Sequence, residues 1–344
     1  MRVRHPDSLI LVTPYLASAN NGNWRTAARW ARMVAPRFRV ILQSPDAPLR
    51  EDAVALLALH ARRSREAIGR WKRAHPDRAL IVALTGTDLY RDVPAGDADA
   101  LASIAEADRL IVLQDDALAH LSARRRDKAS VVVQSARALA PWPHKASSRF
   151  NAILVAHLRN EKDPRTALEA WRRLPADVPA TLTLVGDALD PGLAVDVRRA
   201  TAEDARVRWL GPRPHAWTRQ AIRRAHALVV TSRMEGGANV VVEALTSGTP
   251  VIGTRMSGNV GLLGADYPGM FAVGDADALA AMIVRATRDR RWLGALARRG
   301  ERLAKRMTPE AETRALNAAI DAALASKRSG ARMTTRRAFA KATP

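Results

Sequence analysis

The chain has 344 residues, 47% of them apolar and 4% aromatic, with no cysteine and a formal charge of +21. That length exceeds what one hydrophobic core usually serves, so two domains are expected. The missing cysteine excludes disulfides, thiolate metal sites and a cysteine nucleophile, and fits a reducing cytoplasm.

The charge invites a nucleic-acid reading, yet lysine makes up only 7 of the 55 basic residues and the arginines are spread over many helical segments. That distribution argues against a nucleic-acid partner and leaves a general attraction for polyanionic small molecules. No apolar stretch is long enough to span a bilayer. The apolar run at 9–12 is too short for a signal peptide and reads as part of a first strand, so a cytoplasmic location is expected.

Residues 8–13 give that strand, followed by a loop through Asn20, Asn21, Gly22 and Asn23 with strong turn chemistry. Asn23 is a good N-cap for a helix over 24–35, whose apolar face is Ala27, Ala28, Trp30, Ala31 and Val34, with Arg25, Arg29 and Arg32 opposite. The loop suits an anion or hydroxyl group, and equally suits a plain turn and cap. Residues 39–43 form a second strand. The run 53–60 fits strand or helix, and strand is favoured. His60 then closes a strand, with Arg62, Arg63 and Ser64 opening the next helix. They could hold an oxyanion, although a lone histidine is more often structural. The strand at 79–84 runs into the polar loop Thr85, Gly86, Thr87 and Asp88, and strands at 109–113 and 130–134 flank a helical pattern over 115–124. Residues 141–148 (PWPHKASS) carry no helix or strand period and read as a linker.

The pattern restarts with a strand at 152–156, then His157, Arg159 and Lys162 in a loop, with Asp163 as N-cap and Pro164 at the first helical position. Further strands at 181–185 and 207–210 end at Gly186 and near Arg213. The most informative stretch is 231–252 (TSRMEGGANVVVEALTSGTPVI), a strand, glycine loop, helix and strand. A right-handed crossover in a parallel sheet follows, with ligands beyond the strand carboxyl ends. Gly236, Gly237 and Ala238 bring backbone N–H groups towards an anion such as a diphosphate, helped by the helix N-terminus. Asn239 and Glu243 share a helix face, and a carboxylate there can accept two hydrogen bonds from a ribose diol. Glu235 is placed for the sugar. Both glutamates could also be ordinary solvated residues. Residues 254–264 read as a glycine-rich loop able to close over a ligand. Further helices are expected after Asp275 and over 309–326, and then a basic mobile tail at 327–344.

Glu235 and Glu243, Ser232 ahead of them, the run 244–252 and the cations near Lys162 give the second half a resemblance to the retaining glycosyltransferases of family 4. The resemblance implies an α/β protein of GT-B architecture: two facing Rossmann-like domains with parallel sheets, an acceptor-side domain over 1–145, a UDP-sugar domain over 146–308, and the helix at 309–326 packing back towards the first. Where family members commonly carry glycine and arginine, this chain has Ala156 and His157, and Arg159 takes the arginine's place. Residues 13–16 (TPYL), 21–30 (NGNWRTAARW), 59–64 (LHARRS), 84–90 (LTGTDLY) and 257–264 (SGNVGLLG) together resemble the selenosugar synthases of selenoneine biosynthesis.

That second resemblance implies transfer of a sugar from UDP-N-acetylglucosamine or UDP-glucose to selenophosphate, with no cofactor and no metal. It assigns catalysis to Arg159, Lys162, Glu235 and His60. Donor binding falls to Ser232, Gly236, Gly237, Ala238, Asn239, Glu243, His157, Gly186 and Arg213. Acceptor binding falls to Asn20, Asn21, Gly22, Asn23, Arg25, His60, Arg62, Thr85, Gly86 and Thr87. A conventional UDP-sugar transferase acting on a hydroxyl acceptor, or a non-enzymatic nucleotide-sugar-binding protein, would use the same donor grip.

Overall fold

The computed structural model describes residues 7–16, 22–146 and 148–341, with side chains through Arg328. Asn20 and Asn21 lie outside the described residues. The chain divides into two compact units, the first Met1–Val133 with Glu310–Pro344 and the second Gln134–Pro309.

The first unit holds a six-stranded parallel sheet of β1 (Ser8–Val12), β2 (Arg39–Gln43), β3 (Ala53–Leu59), β4 (Ala79–Leu84), β5 (Arg109–Val112) and β6 (Ala129–Val131), in the order β2-β1-β3-β4-β5-β6. Its strands are unbroken apolar runs because both faces are covered. Ile10, Val12, Leu56 and Ala58 point into one core with Trp71, and their neighbours Leu9, Leu11, Ala55 and Leu57 into the other with Trp30. That alternation makes 53–59 a strand, as favoured. Helix α1 (Gly22–Val34) starts one residue before Asn23, which is therefore inside the first turn and not its cap. Helices α2 (Arg65–Ala74) and α3 (Ala98–Glu106) follow β3 and β4, and the expected helix over 115–124 is instead a 3-10 turn and the single turn α4 (Ala123–Arg126).

In the second unit, β7 (Phe150–Val155), β8 (Ala180–Val185), β9 (Val207–Trp209), β10 (Ala227–Val230), β11 (Val251–Thr254) and β12 (Met270–Phe271) form a parallel sheet in the order β12-β11-β10-β7-β8-β9. This is the doubly wound dinucleotide order, with its reversal between β7 and β10. Helices α5 (Pro164–Arg172), α6 (Pro191–Glu203), α7 (His215–Arg224), α8 (Asn239–Leu245), α9 (Ser257–Leu263), α10 (Ala276–Arg288) and α11 (Arg290–Ala304) connect or cover the strands.

Three expectations are corrected. The segment 254–264 is not an open loop: residues 257–263 coil into α9, which buries Leu262 and Leu263 and ends at Gly264 with φ +89°. The division between units falls at 133/134 and not near 145, because residues 134–141 are bound into the second unit. There the Leu139 N–H donates to the Thr246 carbonyl at 2.9 Å. Arg219 donates to the Arg137 carbonyl at 2.6 Å, and Pro141 lies where a Gly248 side chain would be. Finally, α12 (Pro309–Lys341) runs past the expected end at Ser326 into the residues expected as a mobile tail. Its Leu316, Ala319, Ile320 and Ala323 join the core of the first unit. Its buried Glu312 accepts from Trp30 Nε1 at 2.7 Å and from Arg29 Nε at 2.9 Å.

Candidate active site

At the β7/β10 reversal the connections leave in opposite directions, which opens a crevice at the carboxyl ends of the two strands. The loops 156–163 and 231–238 line it. Lys162 Nζ contacts Glu235 Oε1, and that oxygen also accepts the Ser232 hydroxyl at 2.8 Å. The lysine and glutamate side chains are only 17% and 12% exposed, so the pair interacts in a poorly screened setting. Further ties fix the two loops together: Thr231 Oγ1 donates to the Lys162 carbonyl at 2.9 Å, and the Arg233 N–H to the Glu161 carbonyl at 2.9 Å. Asp163 has the left-handed φ of 45° and does not cap α5 through its side chain. Its Oδ2 accepts instead from Thr166 Oγ1 at 2.8 Å and from Arg233 Nε at 2.9 Å.

Helix α9 supports Glu235 from behind. A Cβ on Gly258 would lie 2.4 Å from the Glu235 carbonyl oxygen and 2.8 Å from its Cβ, so only glycine permits this approach. Buried Asn259 donates to the Thr254 carbonyl at 2.8 Å. Thr254 Oγ1 in turn donates to the Ser232 carbonyl at 2.5 Å.

Glu243 lies one turn after Asn239 on α8, and its Oε1 is 2.6 Å from His215 Nε2. Buried Arg219 donates to the Glu243 carbonyl at 3.0 Å, and desolvation pushes its pKa down. Because α8 has only seven residues, an anion at Gly236, Gly237 and Ala238 would depend on unsatisfied first-turn N–H groups more than on a macrodipole. Gly186 lets the loops after β7 and β8 touch: a Cβ there would be 1.8 Å from the Ala156 carbonyl oxygen. Beside it the His157 Nδ1 accepts the Asp187 N–H at 3.1 Å. The Arg213 guanidinium lies 5.8 Å from the centre of the Trp217 ring. Arg159 is exposed in the same loop as Lys162.

In the first unit the corresponding reversal is at β1/β3. His60, 2% exposed and with the left-handed φ of 71°, ends β3. Its Nδ1 accepts the Arg63 N–H at 3.3 Å, so the proton belongs on Nε2, which donates to Thr87 Oγ1 at 2.8 Å. Both ring nitrogens are thus engaged, and this hydrogen-bonded chain ends at the half-buried Thr87 side chain. Asp88 is fully buried. Its carboxylate accepts the N–H groups of Ala61, Thr85, Gly86 and Leu89 at 2.8–3.1 Å and so shapes the loop 85–87. Arg62 is held by Asp97 at 3.0 Å and by Asp92 at 3.7 Å. Gly22, Asn23 and Arg25 lie in the first turn of α1.

The structure therefore brings Lys162, Ser232 and Glu235 together, and separately His60 and Thr87. Sequence reasoning missed Asp88, Gly258, Asn259, His215 and Arg219 as supports. Asp88 alone had a local signal, an aspartate closing a Thr-Gly-Thr turn. Among the described residues no cluster of three His, Asp or Glu could hold a metal ion, and no helix is long and apolar enough to cross a membrane.

Residues 149–289 match the family model for Glycosyl transferases group 1. The fold is similar to that of Anabaena HepE solved with UDP and glucose, with a TM-score of 0.75 at 15% identity over 91% of this chain and 99% of that one. It is similar also to sucrose-phosphate synthase from Thermosynechococcus elongatus (TM-score 0.70, 16% identity, 98% and 100% covered). A Xenopus tropicalis protein, Glycosyltransferase 1 domain-containing protein 1, is 26% identical over 128 residues, and the match spans 37% of this chain and 37% of that protein. By fold, then, the chain is an α/β protein of the GT-B type, built from two Rossmann-like units with parallel sheets. The structural likeness shows this fold, and the glycosyltransferase match is confined to residues 149–289 in the second unit.

Proposed function

We propose that the chain transfers a sugar from UDP-N-acetylglucosamine or UDP-glucose to selenophosphate, releasing UDP and, after hydrolysis, phosphate. The observation that carries the donor half is the Lys162–Glu235–Ser232 cluster over the β7/β10 reversal, in a domain matching the group 1 glycosyltransferases. HepE, of similar fold, was solved with UDP and glucose.

In this reading Lys162 and Arg159 meet the diphosphate as its charge grows with rupture of the bond to the sugar, together with N–H groups after Gly236. Glu243 accepts from the ribose hydroxyls and Glu235 from the sugar, with Asn239, Ser232, His157, Gly186 and Arg213 completing the donor pocket. The selenium half is supported by the loops 13–16, 21–30, 59–64 and 84–90 of the first unit and by 257–264 of the second. Asn20, Asn21, Gly22, Asn23, Arg25, Arg62 and the 85–87 loop belong to the acceptor side. His60 acts there by positioning Thr87.

The selenium lone pair bonds to the anomeric carbon as the carbon–oxygen bond to UDP breaks. Solvent water then cleaves the phosphorus–selenium bond, leaving phosphate and a 1-selenosugar. Selenophosphate is already anionic near neutral pH, so the nucleophile needs little general-base help. Incubation with UDP-N-acetylglucosamine and selenophosphate should yield UDP and a selenium-bearing sugar by mass spectrometry. UDP release matched only by glycosylation of a hydroxyl acceptor would overturn the selenium assignment and leave a conventional transferase.

A further inference from the structure

The acceptor loops contain two adjacent arginines, and their surroundings differ. Arg62 is tied to Asp97 at 3.0 Å and faces the buried Asp92 at 3.7 Å, so its charge is already compensated. Arg63 is exposed, and among the described residues no carboxylate lies within ion-pair distance of it. Its guanidinium carbon is instead 5.0 Å from the centre of the Tyr15 ring.

We propose that Arg63, held over Tyr15, is the cation that binds the tetrahedral oxyanion of the acceptor. The proposal rests on the acceptor reading given above and names the residue that enforces it. Strands β1 and β3 are parallel neighbours with Val12 opposite Ala58, so Tyr15 and Arg63 leave the sheet at the same edge, beside the reversal where ligands collect. The Arg63 backbone is fixed as well, because its N–H donates to His60 Nδ1 while His60 Nε2 reaches Thr87 Oγ1. Stacking on an aromatic face orients a guanidinium and leaves its edge N–H groups free for a bidentate contact with a phosphate-type group.

A second observation points the same way. Loops at strand ends often bind phosphates through backbone N–H groups, but here the N–H groups of Thr85 and Gly86 are spent on the Asp88 carboxylate. Those two N–H groups are taken from any incoming anion, which shifts recognition of a charged acceptor towards a side chain. A neutral sugar or lipid hydroxyl would have no use for an uncompensated arginine at this place.

The test uses the full chain and the variants Arg63→Ala, Arg63→Lys and Arg172→Ala, with UDP binding by calorimetry as the check that each is folded. In turnover with saturating UDP-sugar, Arg63→Ala should raise KM for selenophosphate by about tenfold or more, the loss expected for a charge-assisted contact. Arg63→Lys should recover part of it, and the control Arg172→Ala, an exposed arginine paired with Glu169 on α5, should change KM by less than about threefold. Calorimetry with thiophosphate alone should show binding to wild type and to Arg172→Ala, and none to Arg63→Ala. Wild-type KM and thiophosphate binding in Arg63→Ala, or an equal defect in Arg172→Ala, would overturn the assignment while the acceptor reading stood. If wild type neither binds thiophosphate nor makes a selenosugar, the acceptor reading itself has failed.

Discussion

Replacing Gly258 by alanine is the sharpest probe of how the 231–238 loop is held. The added methyl would lie 2.4 Å from the Glu235 carbonyl oxygen, against an ordinary contact of about 3.5 Å. About 1 Å of movement is therefore required, and the obstacle is backbone, which yields only if the 231–238 loop or α9 shifts. Overpacking of this kind costs about 1–3 kcal/mol of stability, which leaves a typical domain folded. Displacing Glu235 and the Lys162 ammonium it holds by that distance should cost about a hundredfold in kcat/KM for the UDP-sugar. Gly294 is the control, because a Cβ there meets only the flexible end of Arg298 at 3.4 Å. Gly294→Ala should keep full activity and gain about 0.5–1 kcal/mol from helix propensity. Initial rates at 25 °C, with urea unfolding of each variant, separate the two effects. Wild-type kcat/KM in folded Gly258→Ala would refute the claim that α9 sets the position of Glu235.

Lys162→Ala removes the cation assigned to the leaving diphosphate and leaves Glu235 with the Ser232 hydroxyl, so kcat should fall at least about tenfold; unchanged kcat would remove Lys162 from the chemistry. Glu243→Ala should weaken UDP binding about tenfold in calorimetry, and equal affinity would count against a ribose contact. Burial pushes the Lys145 ammonium down to about 8 from its ordinary 10.5. Its charged form is therefore disfavoured in the folded state, a cost fully present below about pH 8 and relieved as pH rises towards 10.5. Lys145→Met should raise the urea midpoint at pH 7, by an amount that shrinks towards pH 10.5; equal midpoints at pH 7 would contradict this.

Strands were the most legible part of the fold, because a parallel sheet covered on both faces demands short unbroken apolar runs such as 79–84 and 227–230. Helix α9 was not legible, since three glycines in 257–264 read as punctuation. One of them is there to let the helix touch Glu235, a tertiary reason that no local pattern carries. The boundary expected near 145 was misplaced for a related reason: the lack of period over 141–148 says nothing about docking, and Leu139 and Pro141 dock onto α8 and its C-terminal turn.

Spacing marked the loops 156–163 and 231–238 as strand-end loops but not their pairings. Lys162 and Glu235 meet because β7 and β10 are adjacent in the sheet. His215 meets Glu243 because α7 packs on α8, and no motif records that contact. In the first unit the sequence placed His60 correctly at a strand end. Its burial, and the difference between Arg62 and Arg63, depend on which carboxylates fold beside them.

The central claim is that the β7/β10 reversal holds a UDP-sugar by its diphosphate. A crystal structure of the protein with UDP tests it most directly. The account predicts the diphosphate within hydrogen-bonding distance of Lys162 Nζ and the backbone N–H groups after Gly236, with the ribose hydroxyls on Glu243. UDP bound away from these residues, with Lys162 still closed on Glu235, would contradict it.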